Sequence, residues 1–260
     1  MIENKLERAL KRAGDDPASR PDFYRILLDS EVYAIGHSDS PSKGHAEISA
    51  GGKLSIATWE KNDGTAITPF FTSLETLRLS LKQKTSFLAM PAKNFLKIMK
   101  GKSLILNPSS AYSKEFFPSE VEALLSSGVN HVAPERIVQE ATQVLLGQPA
   151  NYPTRMVTAL KAFLPRHPNI HAAHLCLMQE LDANATPSLI VGFKGSGNVK
   201  FAMKEAGAVA ADTAQPGTPL NFMEIIEGES GISAHLLSVD AFYQRKWTAK
   251  LKSLLSGRTA

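Results

Sequence analysis

Three histidines and a cysteine are the first residues that could do chemistry. His167, His171 and His174, with Cys176 close by, would lie near one face of a helix and could ligate a metal there. Pro168 breaks a helix at that point, however, and Ile170–Met178 alternates like a strand. On a strand His171 and His174 face opposite sides, and only His174 and Cys176 share a face. The expectation is exposed or core-edge histidines with an inert buried thiol. His37 and His45 fall in Gly36–Gly52, a Gly/Ser/Pro/Asp-rich stretch that reads as a loop, without a carboxylate or thiol pattern to complete a metal site.

Other motifs fail on spacing. Gly192-Phe-Lys-Gly-Ser-Gly197 has the wrong glycine order for a dinucleotide fingerprint, and no Gly-Lys-Ser/Thr follows. There is no Gly-x-Ser-x-Gly elbow and no His-Glu-x-x-His pair. Glu60, Asp63, Glu115 and Glu120 could pair as acid and base. Asp63 already has a turn role, though, and Glu120 a helix N-terminal one, favourable with the macrodipole. No catalytic set, cofactor or metal is expected.

Charge and aromatic placement point instead to a binding surface. From Arg78 to Lys114 the charged residues are Arg78, Lys82, Lys84, Lys93, Lys97, Lys100, Lys102 and Lys114, with no acid between Glu75 and Glu115. Arg245, Lys246, Lys250, Lys252 and Arg258 repeat the bias after Asp240. Each such face alone reads as a solvated helix surface; together they suit an acidic protein, and RNA or another polyanion is the weaker alternative, because no aromatic interleaving or nucleic-acid motif accompanies them. Trp59, Phe70, Phe71, Tyr112, Phe116 and Phe117 cluster near turns. Alternation sends the members of each Phe pair to opposite faces, so one of each should be buried. The candidate partner-binding residues are Trp59, Phe71, Tyr112, Lys114, Glu115, Phe117, Lys93 and Lys97.

The elements that must position these residues follow from local signals. Asn4 and Glu7 have capping-box spacing for a helix burying Leu6, Leu10 and Ala13. Pro21–Ser30 reads as a second helix and Val32–Ile35 as a short strand. Asn62-Asp-Gly64 marks a hairpin between Lys53–Trp59 and Thr65–Phe71. Pro69 makes the second of these an edge strand, or ends it. Thr72 and Glu75 have capping-box spacing for a helix carrying Leu74, Leu77 and Leu81. Ser86–Met90 reads as a buried strand. Pro91 opens a helix burying Phe95, Ile98 and Met99, and Gly101 ends it. Leu104–Leu106 is a strand, and Pro118 opens a helix closed by Gly128.

Val129–Glu140 is the candidate boundary, giving domains 1–130 and 131–260. Beyond it, a strand near Thr142–Leu146 precedes a helix from Pro153. Ile170–Met178 and Ser188–Phe193 are strands, and a short helix covers Val199–Ala206. Leu220–Ile226 and Ile232–Leu237 read as a hairpin. A last helix from Asp240 buries Phe242, Trp247, Leu251 and Leu254. The fold class is α+β: two mixed domains with largely antiparallel or mixed sheets covered by helices.

Pro69-Phe-Phe-Thr-Ser-Leu-Glu75, Met90-Pro91, Leu106-Asn107 and Lys114-Glu-Phe-Phe-Pro-Ser-Glu120 resemble the bacterial enhanced serine sensitivity protein family, the SseB family. Phe23-Tyr-Arg-Ile-Leu-Leu-Asp29 and Trp247 fit its two-domain pattern. Ser113 stands where that pattern usually has glycine. The resemblance implies a two-domain fold. Related N-terminal domains also resemble modules of bacterial toxin-immunity proteins, which neutralise a partner by binding.

Composition sets the remaining bounds. At 260 residues and a formal charge of +4, the chain has an ordinary globular make-up. No apolar run is long enough to span a bilayer. The charged N terminus lacks a signal-peptide core, and a single cysteine fits a reducing compartment, so the cytoplasm is expected and a membrane is not. The leading expectation is a non-enzymatic, immunity-like or regulatory protein-binding module with an acidic protein partner. A homodimer is compatible with the sequence. The alternatives are an enzyme or small-molecule binder linked to serine or sulfur metabolism, and RNA or polyanion binding.

Overall fold

The computed structural model describes residues 3–38, 54–81, 83, 85–130, 144–181 and 186–246. The chain splits into two compact units, Met1–Val132 and Ala133–Ala260, and both mix helices with a sheet.

In the first unit, α1 (Lys5–Asp15) starts at the Asn4–Glu7 capping box, with both reciprocal bonds present, and buries Leu6, Leu10 and Ala13. A 3-10 turn (Pro17–Ser19) leads into α2 (Arg20–Leu28), which buries Phe23, Tyr24, Leu27 and Leu28. β1 (Glu31–Ser38) is longer than the expected strand and runs into what read as loop. His45 lies outside the described residues.

The segment read as one strand before the hairpin is two: β2 (Leu54–Ile56), paired with β1, and β3 (Trp59–Glu60), paired with β4 (Ala66–Phe71). The Asn62-Asp-Gly turn joins β3 to β4, with Gly64 at φ 78°. β4 is central rather than an edge. It lies between β1 (antiparallel) and β6 (Leu104–Leu106, parallel), despite Pro69. Thr68 N–H donates to Ser103, and Phe70 C=O accepts from Asn107, so the backbone of Pro69 faces the other way. There the neighbour changes from β3 to β1, and the missing N–H breaks no ladder bond.

α3 (Leu74–Leu79) is capped by Ser73 and Thr76, one residue later than the Thr72–Glu75 reading. Thr72 is used elsewhere: its hydroxyl donates to Glu7 and accepts from Asn107 Nδ2. Among the described residues β5 (Phe87–Pro91) pairs only with β1, so the strand expected to be buried is an edge there. α4 (Ala92–Ile98) buries Phe95 and Leu96 but leaves Ile98 exposed. β7 (Lys114–Phe116) closes the other side of the sheet against β6, and α5 (Pro118–Ser127) ends at Gly128, φ 79°.

The main core joins α1, α2, α4 and α5 to the sheet through Phe23, Tyr24, Phe70, Phe95 and Phe116. A smaller cluster, Ile35, Phe71 and Leu77, lies on the opposite face beneath α3. Phe70 and Phe71 are therefore both buried, one on each face, whereas a single buried member was expected.

In the second unit, β8 (Val144–Gly147) precedes α6 (Thr154–Phe163), whose buried side chains include Met156, Val157, Leu160 and Phe163, as expected. A 3-10 turn (Leu164–Arg166) enters β9 (Ile170–Glu180), which pairs antiparallel with β10 (Ser188–Gly195). α7 (Val199–Ala211) is longer than expected and returns the chain to β11 (Leu220–Glu224), which runs parallel to β10. The expected hairpin is absent: Ile232–Ser238 is a helix, α8. The residues after Asp240 form β12 (Tyr243–Gln244), paired with β9, rather than the start of a helix. Trp247, Leu251 and Leu254 lie outside the described residues. Cys176, Ile190 and Ile225 pack with Leu236 of α8, while Phe193 stacks on Phe222, whose ring meets Gly207 of α7.

Candidate protein-binding surface

β7 and the N terminus of α5 build the surface. Lys114 and Phe116 face one way along the extended backbone, and Glu115 and Phe117 the other. Phe116 is wholly buried, and the Lys114 ammonium sits 5.1 Å from its ring centroid. Pro118 fixes the first helical turn, and Phe117 occupies the N-cap with extended backbone angles. A phenyl ring cannot cap a helix, so the bond at this end is the one from Phe117 N–H to the Glu120 carboxylate, 3.1 Å.

Glu120 also accepts from Lys114 Nζ at 2.8 Å and from Asn130 Nδ2 at 3.4 Å. Glu115 accepts from Lys61 Nζ at 3.0 Å, from the β3–β4 turn. That hydrogen bond raises the Lys61 pKa against a smaller desolvation effect. The local charges are thus paired, and the phenyl ring of Phe117 is left 56% exposed beside them. An exposed aromatic beside a polar rim is the usual make-up of an interface anchor.

The other candidates lie elsewhere. Phe71 is buried in the core and Trp59 is half-buried against the same cluster, so neither belongs to this surface. Tyr112 packs on the main core, with its hydroxyl 3.3 Å from Asp15 and Lys11 over its ring. On α4, Lys93 meets Asp29 at 3.4 Å and Lys97 is exposed, and just beyond the helix Lys100 meets Glu122 at 2.9 Å. Lys82 and Lys84 lie outside the described residues. The structure brings together Lys114, Glu115 and Phe117. To these it adds Lys61, Glu120 and Asn130, of which Lys61 is 54 residues from its partner and gave no local signal.

The histidines disperse as strand geometry requires. His167 pairs with Glu205 at 3.2 Å, His174 Nδ1 lies 3.0 Å from Val239 O, and Ser196 Oγ is 3.5 Å from His171 Nε2. Burial pushes the Cys176 thiol up to about 11. Among the described residues no group of His, Cys, Asp and Glu could hold a metal. A cleft of about 230 Å³ in the second unit is lined by Asn151, Pro153, Leu177, Leu189, Gln215 and Thr218 together with Pro149 and Ala150, none of them ionisable in its side chain.

No described helix is long and apolar enough to cross a membrane. The SseB protein N-terminal domain family matches residues 6–123, and the SseB protein C-terminal domain family matches residues 138–245. The chain is 30% identical over 257 residues to Protein SseB of Escherichia coli (strain K12), covering 98% of both chains. The figures are the same for Protein SseB of Shigella flexneri. No solved structure matches. The chain belongs to the SseB family, and both of the family's domains lie along it.

Proposed function

We propose that this SseB-family chain is a non-enzymatic protein-binding module of the cytoplasm that occludes an acidic partner, in the manner of an immunity or regulatory protein. The observation that supports it is Phe117: a large apolar ring, 56% exposed, on a backbone held by Glu120 and beside two ion pairs. The basic face of α4 supports the charge of the partner. Lys97 has no carboxylate partner among the described residues, while Lys93 and Lys100 keep exposed ones.

Affinity capture of the tagged chain from native lysate, with nuclease and a salt series, tests the reading. A stoichiometric protein that survives nuclease and moderate salt is expected. Recovery lost with nuclease would replace the reading with polyanion binding. Lys97→Glu, at an exposed position, is expected to weaken capture at low salt and to matter less as salt screens it.

A further inference from the structure

We propose that the β5 edge is a self-association site, where a second copy of this chain pairs antiparallel with β5 about a two-fold axis through Ala89. β5 carries the apolar composition of an interior strand yet has no second neighbour strand among the described residues. Its direction of hydrogen bonding is fixed by two bonds to the β1 side: Gly36 N–H to Ser86 C=O, and Ala92 N–H to Ser30 C=O. In an antiparallel ladder this parity turns Ser86, Leu88, Met90 and Ala92 toward β1, and Phe87, Ala89 and Pro91 outward. The outward N–H groups of Phe87 and Ala89 have no bond among the described residues.

Natural sheets guard their edges with charge, as β7 does through Lys114 and Glu115. Residues 85–92, Thr-Ser-Phe-Leu-Ala-Met-Pro-Ala, contain no charged side chain. Phe87 is 45% exposed, its ring 6.2 Å from that of Tyr33.

The strand is complementary to itself. A two-fold axis at Ala89 lets the two Ala89 residues exchange both backbone bonds, with small side chains on the axis. Phe87 N–H then donates to the C=O of the partner's Pro91, and the phenyl ring meets the proline ring. The N–H that Pro91 lacks would have served only the Phe87 carbonyl, so proline costs little here. The paired strands run from Phe87 to Pro91 and carry no charged side chain, so no like charges meet along them. A foreign strand would satisfy the same N–H groups, but the register in which proline supplies only an acceptor is the one that the sequence itself provides. This site is separate from Phe117, and either can fail without the other.

The test is sedimentation of the full chain across a concentration series, with Ala89→Pro and Phe87→Lys. A reversible dimer is expected. Ala89→Pro removes only an outward N–H and is expected to raise the dissociation constant about tenfold or more, with the monomer's circular dichroism retained. Phe87→Lys, which changes an exposed side chain, gives the same reading if the proline variant misfolds. Ala89→Cys is expected to cross-link with a mild oxidant, since directly bonded antiparallel partners lie about 5.5 Å apart at Cα; Cys176 is buried and does not compete. A wild-type chain that stays monomeric overturns the proposal and leaves the edge to a foreign strand. A dimer unaffected by Phe87→Lys and not cross-linked through position 89 overturns it as well.

Discussion

The guanidinium of Arg245 closes the turn that follows α6. Its Nε donates to Ile170 C=O at 3.0 Å, and its terminal nitrogen to His167 C=O at 2.7 Å and to Leu164 and Pro165 at 3.3 Å. Hydrogen bonds from a charged donor are among the stronger ones, and here they add to the backbone bonds that the Leu164 and His167 carbonyls already accept from His167 and Ile170 N–H. Arg245→Ala is expected to cost about 2–4 kcal/mol of unfolding free energy, read from the urea midpoint. Arg245→Lys should recover little, because an ammonium is a point charge and cannot span carbonyls as a planar fork does. The run of basic residues after Asp240 predicts a solvated helix face, and this member of the run is a structural clamp. Nothing local distinguishes it, since its acceptors lie 75 to 81 residues away. Cys176 is the opposite case, legible from apolar alternation alone. Its pKa is raised by burial from 9.0 to about 11, so the folded state holds the proton more tightly than the unfolded one. Its contribution is full below about pH 9 and is lost as pH rises toward 11. The stability of the wild type is expected to fall faster than that of Cys176→Ala across this window, and thiol reagents at neutral pH should label the native chain slowly.

Elements were readable where their signal is local. The Asn4–Glu7 box starts α1, and Glu7 also accepts from the Thr72 and Ser73 hydroxyls, fastening this helix to the end of β4. Glu7→Ala should therefore cost more than a cap alone, about 2–3 kcal/mol by chemical denaturation, and Glu7→Gln less. Elements were misread where the partner is remote. β11 looked like half of a hairpin because the run after Gly231 is apolar, but its partner is β10, reached in parallel after α7, and the following run turns helical at Gly231. Gly192 records that packing. A Cβ there would sit 2.6 Å from Leu236 Cδ1 of α8 and 2.9 Å from Ile225. Gly192→Ala is expected to displace α8 and cost about 1–3 kcal/mol, with loss of near-ultraviolet signal greater than loss of helix. Pro69 gives the same lesson for β4, since only the change of neighbour from β3 to β1 explains how a central strand carries proline.

At the scale of the whole molecule, the α+β class was legible from the mixture of helix and strand signals in both halves, and the family from the Phe-Phe phrases. The second sheet covering was not, because the burial of Phe71 depends on α3 folding back over the far face of the first sheet. The candidate surface was legible in part: alternation separates Phe116 from Phe117, but only the folded chain brings Lys61 to Glu115. The central claim is that Phe117 anchors a protein partner. It is tested most directly by quantitative capture from native lysate with wild type and Phe117→Ala side by side, under nuclease. Phe117 adds little to the core, so the variant should keep the wild-type circular dichroism and melting midpoint. Loss of the captured protein by about tenfold or more is expected, the effect of an interface hot spot. An undiminished yield of the same partner from a folded Phe117→Ala chain would contradict the account.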